Sequence, residues 1–322
     1  MFIRKFSRFV SGAQHHWAII ALLLSVTCSN AQPVFSKLLY ADGWTPVSIY
    51  FLALLVVVIF LGIHEFLEFE EKGRWGMTRE DMKGVLLTTV VGGFISPILY
   101  FTGLDKVRAS DAVLLVSLTP VFTVGFAVLL LRERFNAATV WGSLFLIAGI
   151  GVLLFPNVRQ AQFHAGSLLL VGASLTSALT TILHKKYVKH RHLDSVVLVR
   201  TVLSLLLIGG WMRLTEPQSF ALFEAPQKMW LVLGFPIIGV LLPFFLFFGA
   251  LRHVKAVEAG MVSGAGPVAG VLLAAAFLQE QIAAPQILSL ALIIIGILNI
   301  NVPLTKWRIV PSRLMEIGPL RK

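Results

Sequence analysis

Apolar runs of about 20 residues recur along the whole chain, and only short polar gaps separate them. A run of this length crosses the hydrocarbon core of a bilayer as one α-helix, since the core is about 30 Å thick and a helix rises 1.5 Å per residue. The short alternating segments typical of a transmembrane β-barrel do not occur. The pattern therefore predicts an all-α polytopic membrane protein. Its ten predicted transmembrane helices are residues 17–39, 45–67, 83–104, 109–131, 135–155, 165–187, 193–214, 229–251, 256–278 and 284–303.

The second half of the chain repeats the first. Pro267 follows Pro120 by 147 residues, and Glu280 follows Glu133 by the same 147 residues, within a match of about fifty residues that needs no gap. A match of this length and register indicates an internal repeat of five helices. We therefore divide the chain into an interfacial cytoplasmic N-terminus (1–16), a first repeat (17–155), a second repeat (165–303) and a basic cytoplasmic tail (304–322).

Composition agrees with a membrane protein. Hydrophobic residues make up 57% of the chain and charged residues 13%, with a mean hydropathy of +0.84. The net charge of +11 does not indicate a nucleic-acid partner, because the basic residues lie at the edges of apolar spans, where membrane topology explains them. The single cysteine, Cys28, excludes a disulfide framework and a multi-cysteine metal site. We expect neither a metal nor a cofactor.

The distribution of Lys and Arg predicts the orientation. With the N-terminus inside, 20 of the 27 basic residues fall on the cytoplasmic side, 6 on the outer side, and Arg200 lies within a span. Both termini are thus predicted to be cytoplasmic. Because each repeat has an odd number of helices, the second must be inverted relative to the first. A basic start followed by an apolar stretch also resembles a signal peptide, although cleavage would delete half of a matched pair.

These features resemble the EamA repeats of the drug/metabolite transporter superfamily. The resemblance rests on these elements of the first repeat and their matches in the second: Ser29-Asn30 before Phe35-Ser36-Lys37, Gly103-Leu104 to Ala112 before Pro120, the Arg-Glu-Arg corner at Glu133, and Gly149–Gly151. It implies a ten-helix carrier of the bacterial inner membrane, commonly an exporter of amino acids or other small metabolites. One departure is Ala53, which stands where the second repeat keeps Arg200.

Two amides provide the first candidates for a substrate cavity. Asn30 and Gln32 lie about 20 Å into the first span, close to the membrane midplane, and Pro33 follows them. Polar groups at this depth face other helices or a cavity rather than lipid. Ser177 and Thr181 lie at the matching depth of the sixth span. Hydrogen bonds between helices would explain these residues equally well.

Two prolines near mid-span provide the next candidates. Pro120 follows Ser117 and Thr119, and Pro267 follows Ser263 at the corresponding place in the second repeat. A proline kinks a helix and frees a carbonyl, and broken helices of this kind can line a transport site. Close helix packing is the alternative role.

Three further positions complete the candidate set. Ser96 and Tyr100 face a ligand in one interpretation and anchor the third span in another. Arg200, roughly 10 Å inside the seventh span, either extends to the cytoplasmic surface or holds a carboxylate or phosphate. Glu133 and Glu280 end their spans at opposite faces, so we expect them to cap the next helix or to pair at the corner rather than to carry coupled protons.

The sequence favours a secondary transporter that works by alternating access of its inverted repeats. Its expected partners are a small-molecule substrate and the lipid bilayer, and a homodimer remains open. A membrane scaffold or sensor without transport is the alternative. An intramembrane enzyme is disfavoured, because residues 260–264 only approximate a GxSG motif and no histidine lies mid-span. We therefore expect no enzymatic activity.

Overall fold

The computed structural model describes residues 15–72, 79–132, 137–159, 165–187, 193–224, 228–250, 253–254, 259 and 262–301. The predicted interfacial segment up to residue 14 and the predicted basic tail lie outside these ranges, as does the Glu133 corner. Within them every regular element is a helix. In these ranges seven helices are long and apolar enough to cross a membrane, and three shorter apolar helices accompany them. This confirms the predicted all-α polytopic fold.

The first repeat contributes helices α1 to α5. Three of them are interrupted, so their segments carry the letters a and b. In chain order they are α1a (His15–Asn30), α1b (Gln32–Ala41), α2 (Pro46–Lys72), α3a (Arg79–Thr88), a π-helical turn (Thr89–Ile95), α3b (Ser96–Lys106), α4a (Ala109–Val116), α4b (Thr119–Leu131) and α5 (Ala137–Arg159).

The second repeat contributes helices α6 to α10 in the same order. They are α6 (Ala165–Tyr187), α7 (Leu193–Thr215), α8a (Met229–Pro236), a second π-helical turn (Ile237–Leu241), α8b (Leu242–Ala250), α9 (Gly266–Leu278) and α10 (Ala284–Asn301). A 3₁₀ turn (Pro217–Phe220) and a short helix (Ala221–Glu224) connect α7 to α8a.

Irregular backbone recurs at matched positions of the two repeats. Arg132 ends α4b with φ of 55°, and Gln279 ends α9 with φ of 54°. Both adopt the left-handed conformation that commonly ends a helix, although neither is a glycine. The two π-helical turns likewise overlap when the offset of 147 residues is applied. The duplication read from the sequence is therefore also a duplication of backbone geometry.

Helix α1 departs from this correspondence. It breaks at Ala31, between α1a and α1b, whereas its counterpart α6 runs without interruption. Pro33 stands in the first turn of α1b and has no backbone N–H to continue the helix. The matched residue in α6 is Thr180, which can continue it. The first helix is thus broken in one repeat only, at the depth of Asn30.

Helices α5 and α10 pack most closely, through small residues. A Cβ atom on Gly142 would lie 2.7 Å from the carbonyl oxygen of Gly296, and one on Gly149 would lie 3.0 Å from that of Ser289. The offset between the repeats relates these two contacts to each other. The pseudo-two-fold axis therefore passes between α5 and α10, where small residues let two backbones approach.

The ends of the helices define two faces of the bundle. The Glu280 face carries the end of α1b, the start of α4a and the end of α9, and the N-terminal face carries the start of α1a. The largest core cluster joins both repeats through side chains of α4a, α5, α6, α9 and α10. Its fully buried members include Leu115, Leu146 and Ile293. This cluster surrounds the pseudo-two-fold axis.

Candidate functional site

A cavity of about 460 Å³ lies between α1, α8 and the segment that leads into α9. It extends from the middle of the bundle towards the N-terminal face, because its α8 lining belongs to the half of that helix that is remote from Met229. Its lining residues are Ser25, Val26, Ser29, Asn30, Gln32, Gly239, Val240, Pro243, Phe244, Phe247 and Ser263. The structure thus brings together three of the predicted site residues, Asn30, Gln32 and Ser263.

Asn30 is held in a fixed orientation at the cavity wall. Its side-chain N–H donates to the Val26 carbonyl, with Nδ2 and O 2.8 Å apart. Helix α9 passes directly behind the amide, so that a Cβ atom on Gly266 would come within 2.9 Å of Nδ2 and one on Gly270 within 3.3 Å of Oδ1. These two glycines leave room for the Asn30 side chain.

Gln32 follows the break in α1 and lies against the second π-helical turn at the cavity wall. Its Cα and Cβ atoms lie 3.7 Å from where a Cβ on Gly239 would stand. Among the described residues, none forms a hydrogen bond with the Gln32 side-chain amide. The widened turn of α8 and the broken turn of α1 therefore face each other. Breaks of both kinds are common at functional sites in helices.

Three serine hydroxyls line the same cavity, and each donates to a backbone carbonyl. Ser25 donates to Pro243 across the α1–α8 interface, with 2.7 Å between Oγ and the carbonyl oxygen. Ser29 donates to Val26 at 3.0 Å, and Ser263 donates to Ala259 at 2.8 Å. The lining combines these hydroxyls and the two amides with the rings of Phe244 and Phe247.

Residues predicted at the fourth and ninth helices lie at breaks in those helices. Ser117 donates to the Val113 carbonyl at 2.9 Å, and Thr119 donates to that of Val116 at 2.7 Å. Pro120 stands in the first turn of α4b, after the break. Pro267 is buried in the corresponding turn of α9. These four residues do not line the described cavity, and their contact with a substrate stays a prediction.

Ser96 and Tyr100 lie in the other half of the bundle. Ser96 is buried, and its hydroxyl donates to the Ala173 carbonyl of α6 at 3.1 Å. Tyr100 packs edge-on against Phe101, with 5.0 Å between ring centroids. Here helix α3 is packed against α6, whereas the matched pair, α8 and α1, borders the cavity.

Ser177, Thr181 and Arg200 lie away from the cavity. Ser177 and Thr181 are exposed on α6, and the Thr181 hydroxyl donates to the Ser177 carbonyl at 3.2 Å. Arg200 is half-buried on α7. None of the three contributes to the lining of this cavity, so their functional roles also stay predictions.

The bundle is closed between the cavity and the Glu280 face. The Tyr40 hydroxyl donates to the Phe101 carbonyl at 2.8 Å, and the Phe101 and Phe235 rings pack edge-on at 6.3 Å. Closer to the surface, Lys228 and Asp42 form an ion pair between α8 and the end of α1. The Phe101–Phe235 and Lys228–Asp42 contacts join the two repeats at the Glu280 face, and the Tyr40 hydrogen bond joins α1b to α3b within the first repeat.

The family model of the EamA-like transporter family matches the chain twice, at residues 16–155 and 164–302. Among the relatives, an uncharacterized transporter of Bacillus subtilis (strain 168), YetK, is 27% identical over 240 residues, which are 70% of each chain. The uncharacterized transporter sll1164 of Synechocystis sp. is 24% identical over 234 residues, which are 68% of this chain and 65% of that protein.

A third relative covers more of the chain. YcbK, another uncharacterized transporter of Bacillus subtilis (strain 168), is 23% identical over 277 residues, which are 84% of this chain and 88% of that protein. A protein of known crystal structure superposes with a TM-score of 0.56 at 17% identity, over 89% of this chain and 96% of the other. At this identity the superposition supports the fold alone.

Proposed function

Because the chain belongs to the EamA-like transporter family and is thus a membrane transporter, we propose that it is a secondary transporter exporting a small metabolite or amino acid. In this proposal the substrate binds in the cavity beside Asn30, Gln32 and Ser263. The two inverted repeats then rock about the axis between α5 and α10, and the cavity opens to one face at a time.

A difference between two matched glycines is the main support for this proposal. A Cβ atom on Gly92 would lie 2.3 Å from Cγ2 of Thr180, so α3 and α6 are in tight contact there. At the matched Gly239, the atoms nearest to such a Cβ belong to Gln32 and lie 3.7 Å from it, an ordinary van der Waals distance, and the cavity begins beside this contact. Inverted repeats that alternate between two states are expected to differ in this way, because each state closes one interface and opens its mate.

The charge distribution supports a direction for this cycle. With the N-terminus inside, as the excess of Lys and Arg predicts, the Glu280 face is the outer face and the cavity opens towards the cytoplasm. The closed contacts of Tyr40, Phe101 and Phe235 then separate the cavity from the outside. This arrangement suits the loading of a cytoplasmic solute before export across the inner membrane.

Metabolite export tests the proposal. Media from a strain lacking the protein and a strain overproducing it are compared by mass spectrometry, and solutes that accumulate with overproduction are then tested for counterflow in liposomes containing the purified protein. We expect at least one solute to show counterflow that Gln32→Leu abolishes. If correctly folded protein supports counterflow of none of these solutes, the non-transporting scaffold becomes the better account.

A further inference from the structure

The hydroxyl groups of the three serines that line the cavity already donate hydrogen bonds within the protein. Ser25, Ser29 and Ser263 each donate to a backbone carbonyl, which can only accept. This fixes the direction of all three hydrogen bonds, although hydrogen atoms need not be seen. The serine oxygens therefore present lone pairs, and no free O–H, to a molecule in the cavity.

The Asn30 amide adds an acceptor oxygen and one remaining N–H donor. Its orientation is determined, because the atom that contacts the Val26 carbonyl must be the nitrogen. One of its N–H groups is thereby used, and none of the described residues donates to its Oδ1. None of the described residues forms a hydrogen bond with the Gln32 side-chain amide, so this amide offers two N–H donors and one acceptor oxygen to a ligand. The free N–H groups of these side chains are few beside the free lone pairs.

Two prolines next to the cavity further reduce the number of hydrogen-bond donors relative to acceptors. Pro243 lines the cavity and Pro33 follows Gln32, and neither has a backbone N–H. In each case a carbonyl of the preceding turn loses the donor that an unbroken helix would supply. Neither proline can therefore donate a backbone N–H to a molecule in the cavity.

None of the described residues that line the cavity carries a charge. A carboxylate or phosphate needs several donors or a cation when it leaves water, and this lining offers few donors. An ammonium group would find acceptors, but no described lining residue has a carboxylate to balance its charge. Val26, Val240, Phe244 and Phe247 provide an apolar part of the wall.

We propose that this cavity selects uncharged solutes that carry N–H or O–H donors beside an apolar group, and that it discriminates against carboxylates. The proposal rests on the transport function proposed above. It excludes amino acids and other organic acids from the expected substrates. Selection arises because donors on the solute match the excess of acceptors on the wall, whereas a carboxylate would add acceptors to a site already rich in them.

Binding to the purified full-length protein tests this selection without requiring transport. The probes are three pyridines with the same ring and a different group at position 3: nicotinamide, nicotinate and 3-picolylamine, which are neutral, anionic and cationic at pH 7. Panthenol and pantothenate form a second, larger pair that exchanges a hydroxymethyl group for a carboxylate. The half-saturating concentration of each is measured from the rise in thermal denaturation temperature in detergent.

We expect nicotinamide and panthenol to stabilise the protein at concentrations at least about tenfold below those of their charged counterparts. Gln32→Leu should abolish this stabilisation. Thr27→Val should preserve it, because Thr27 is exposed elsewhere on α1a and its hydroxyl donates to the Leu23 carbonyl. Thr27→Val is thus a matched control on the same helix.

Three results would overturn the proposed selection: equal or tighter binding of a charged probe, stabilisation that persists in Gln32→Leu, and no stabilisation by either neutral probe. Counterflow of an organic acid through the purified protein would also contradict it while leaving the transport function intact. Failure of all counterflow, with neutral probes still binding, would instead contradict the transport function.

Discussion

The Glu280 carboxylate accepts hydrogen bonds from both the backbone N–H and the hydroxyl of Ser110, although the two residues belong to different repeats. The N–H of Ala109 donates to the same carboxylate at 2.8 Å. Glu280 therefore caps the N-terminus of α4a, where a negative charge is favourable. The sequence suggested that it would cap the next helix, α10, or pair at the corner. At the start of α10 Gln286 accepts from the N–H of Ala283, and Glu280 itself lies 3.7 Å from the Arg108 guanidinium.

Glu280→Gln should destabilise the protein by about 1–2 kcal/mol, because a neutral amide is a weaker acceptor and one of its ends donates. The loss should appear as a lower denaturation temperature in detergent. Arg213→Gln, an exposed change at the end of α7 on the same face, is the control and should leave stability unchanged. Equal stability of Glu280→Gln and the parent protein would show that the cap contributes nothing.

Gly142→Ala should separate α5 from α10 and destabilise the bundle by about 1–3 kcal/mol, because the new Cβ would meet the Gly296 backbone at 2.7 Å. Gly151→Ala is the matched control on the same helix, since nothing lies within 4 Å of a Cβ there. It should be neutral or slightly stabilising. Thermal denaturation of both variants distinguishes the two positions, and equal effects would contradict the proposed packing at the axis.

Ser263→Leu should reduce transport at least about tenfold, because the larger side chain enters the cavity, and Asn30→Ala should also impair transport. Thr27→Leu introduces the same side chain at an exposed position of α1a that does not line the cavity, so transport should be unchanged. Initial rates in liposomes, corrected for the amount of inserted protein, provide the comparison. Unchanged transport in both Ser263→Leu and Asn30→Ala would refute the placement of the cavity.

Gly92→Ala and Gly239→Ala test the two matched interfaces. In this structure Gly92→Ala places a Cβ within 2.9 Å of three Thr180 atoms, whereas Gly239→Ala meets nothing closer than 3.7 Å. We expect Gly92→Ala alone to lower the denaturation temperature of the resting protein. If the interfaces exchange during transport, both substitutions should slow it, because each obstructs one closed state. Normal transport by Gly239→Ala would argue against that exchange.

The sequence predicted the fold well, because each feature needed only local information. Apolar runs of bilayer length predict helices, and the constant offset between Pro120 and Pro267 predicts a common architecture. The family relation followed from the same register and is confirmed by the family match over both repeats.

The site could be predicted only in part, because depth in the membrane does not reveal the direction in which a side chain points. Asn30 and Thr181 both lie near mid-span, yet Asn30 lines the cavity and Thr181 is exposed. The sequence also offered the helices broken at Pro120 and Pro267 as the lining of a transport site, but neither proline lines the described cavity. A constant offset between the two repeats does not reveal which of two matched helix interfaces is open.

Chemical modification of two matched positions tests alternating access most directly. Ser263 and Val116 occupy the same place in the two repeats; Ser263 lines the cavity, and Val116 packs against the core cluster. Each is changed to cysteine in a Cys28→Ala background and treated with a membrane-impermeant methanethiosulfonate in inside-out and right-side-out vesicles. We predict that Ser263→Cys reacts from the cytoplasmic side while Val116→Cys stays protected. Equal reactivity of the two, or reaction of Ser263→Cys from the outer side alone, would contradict the account.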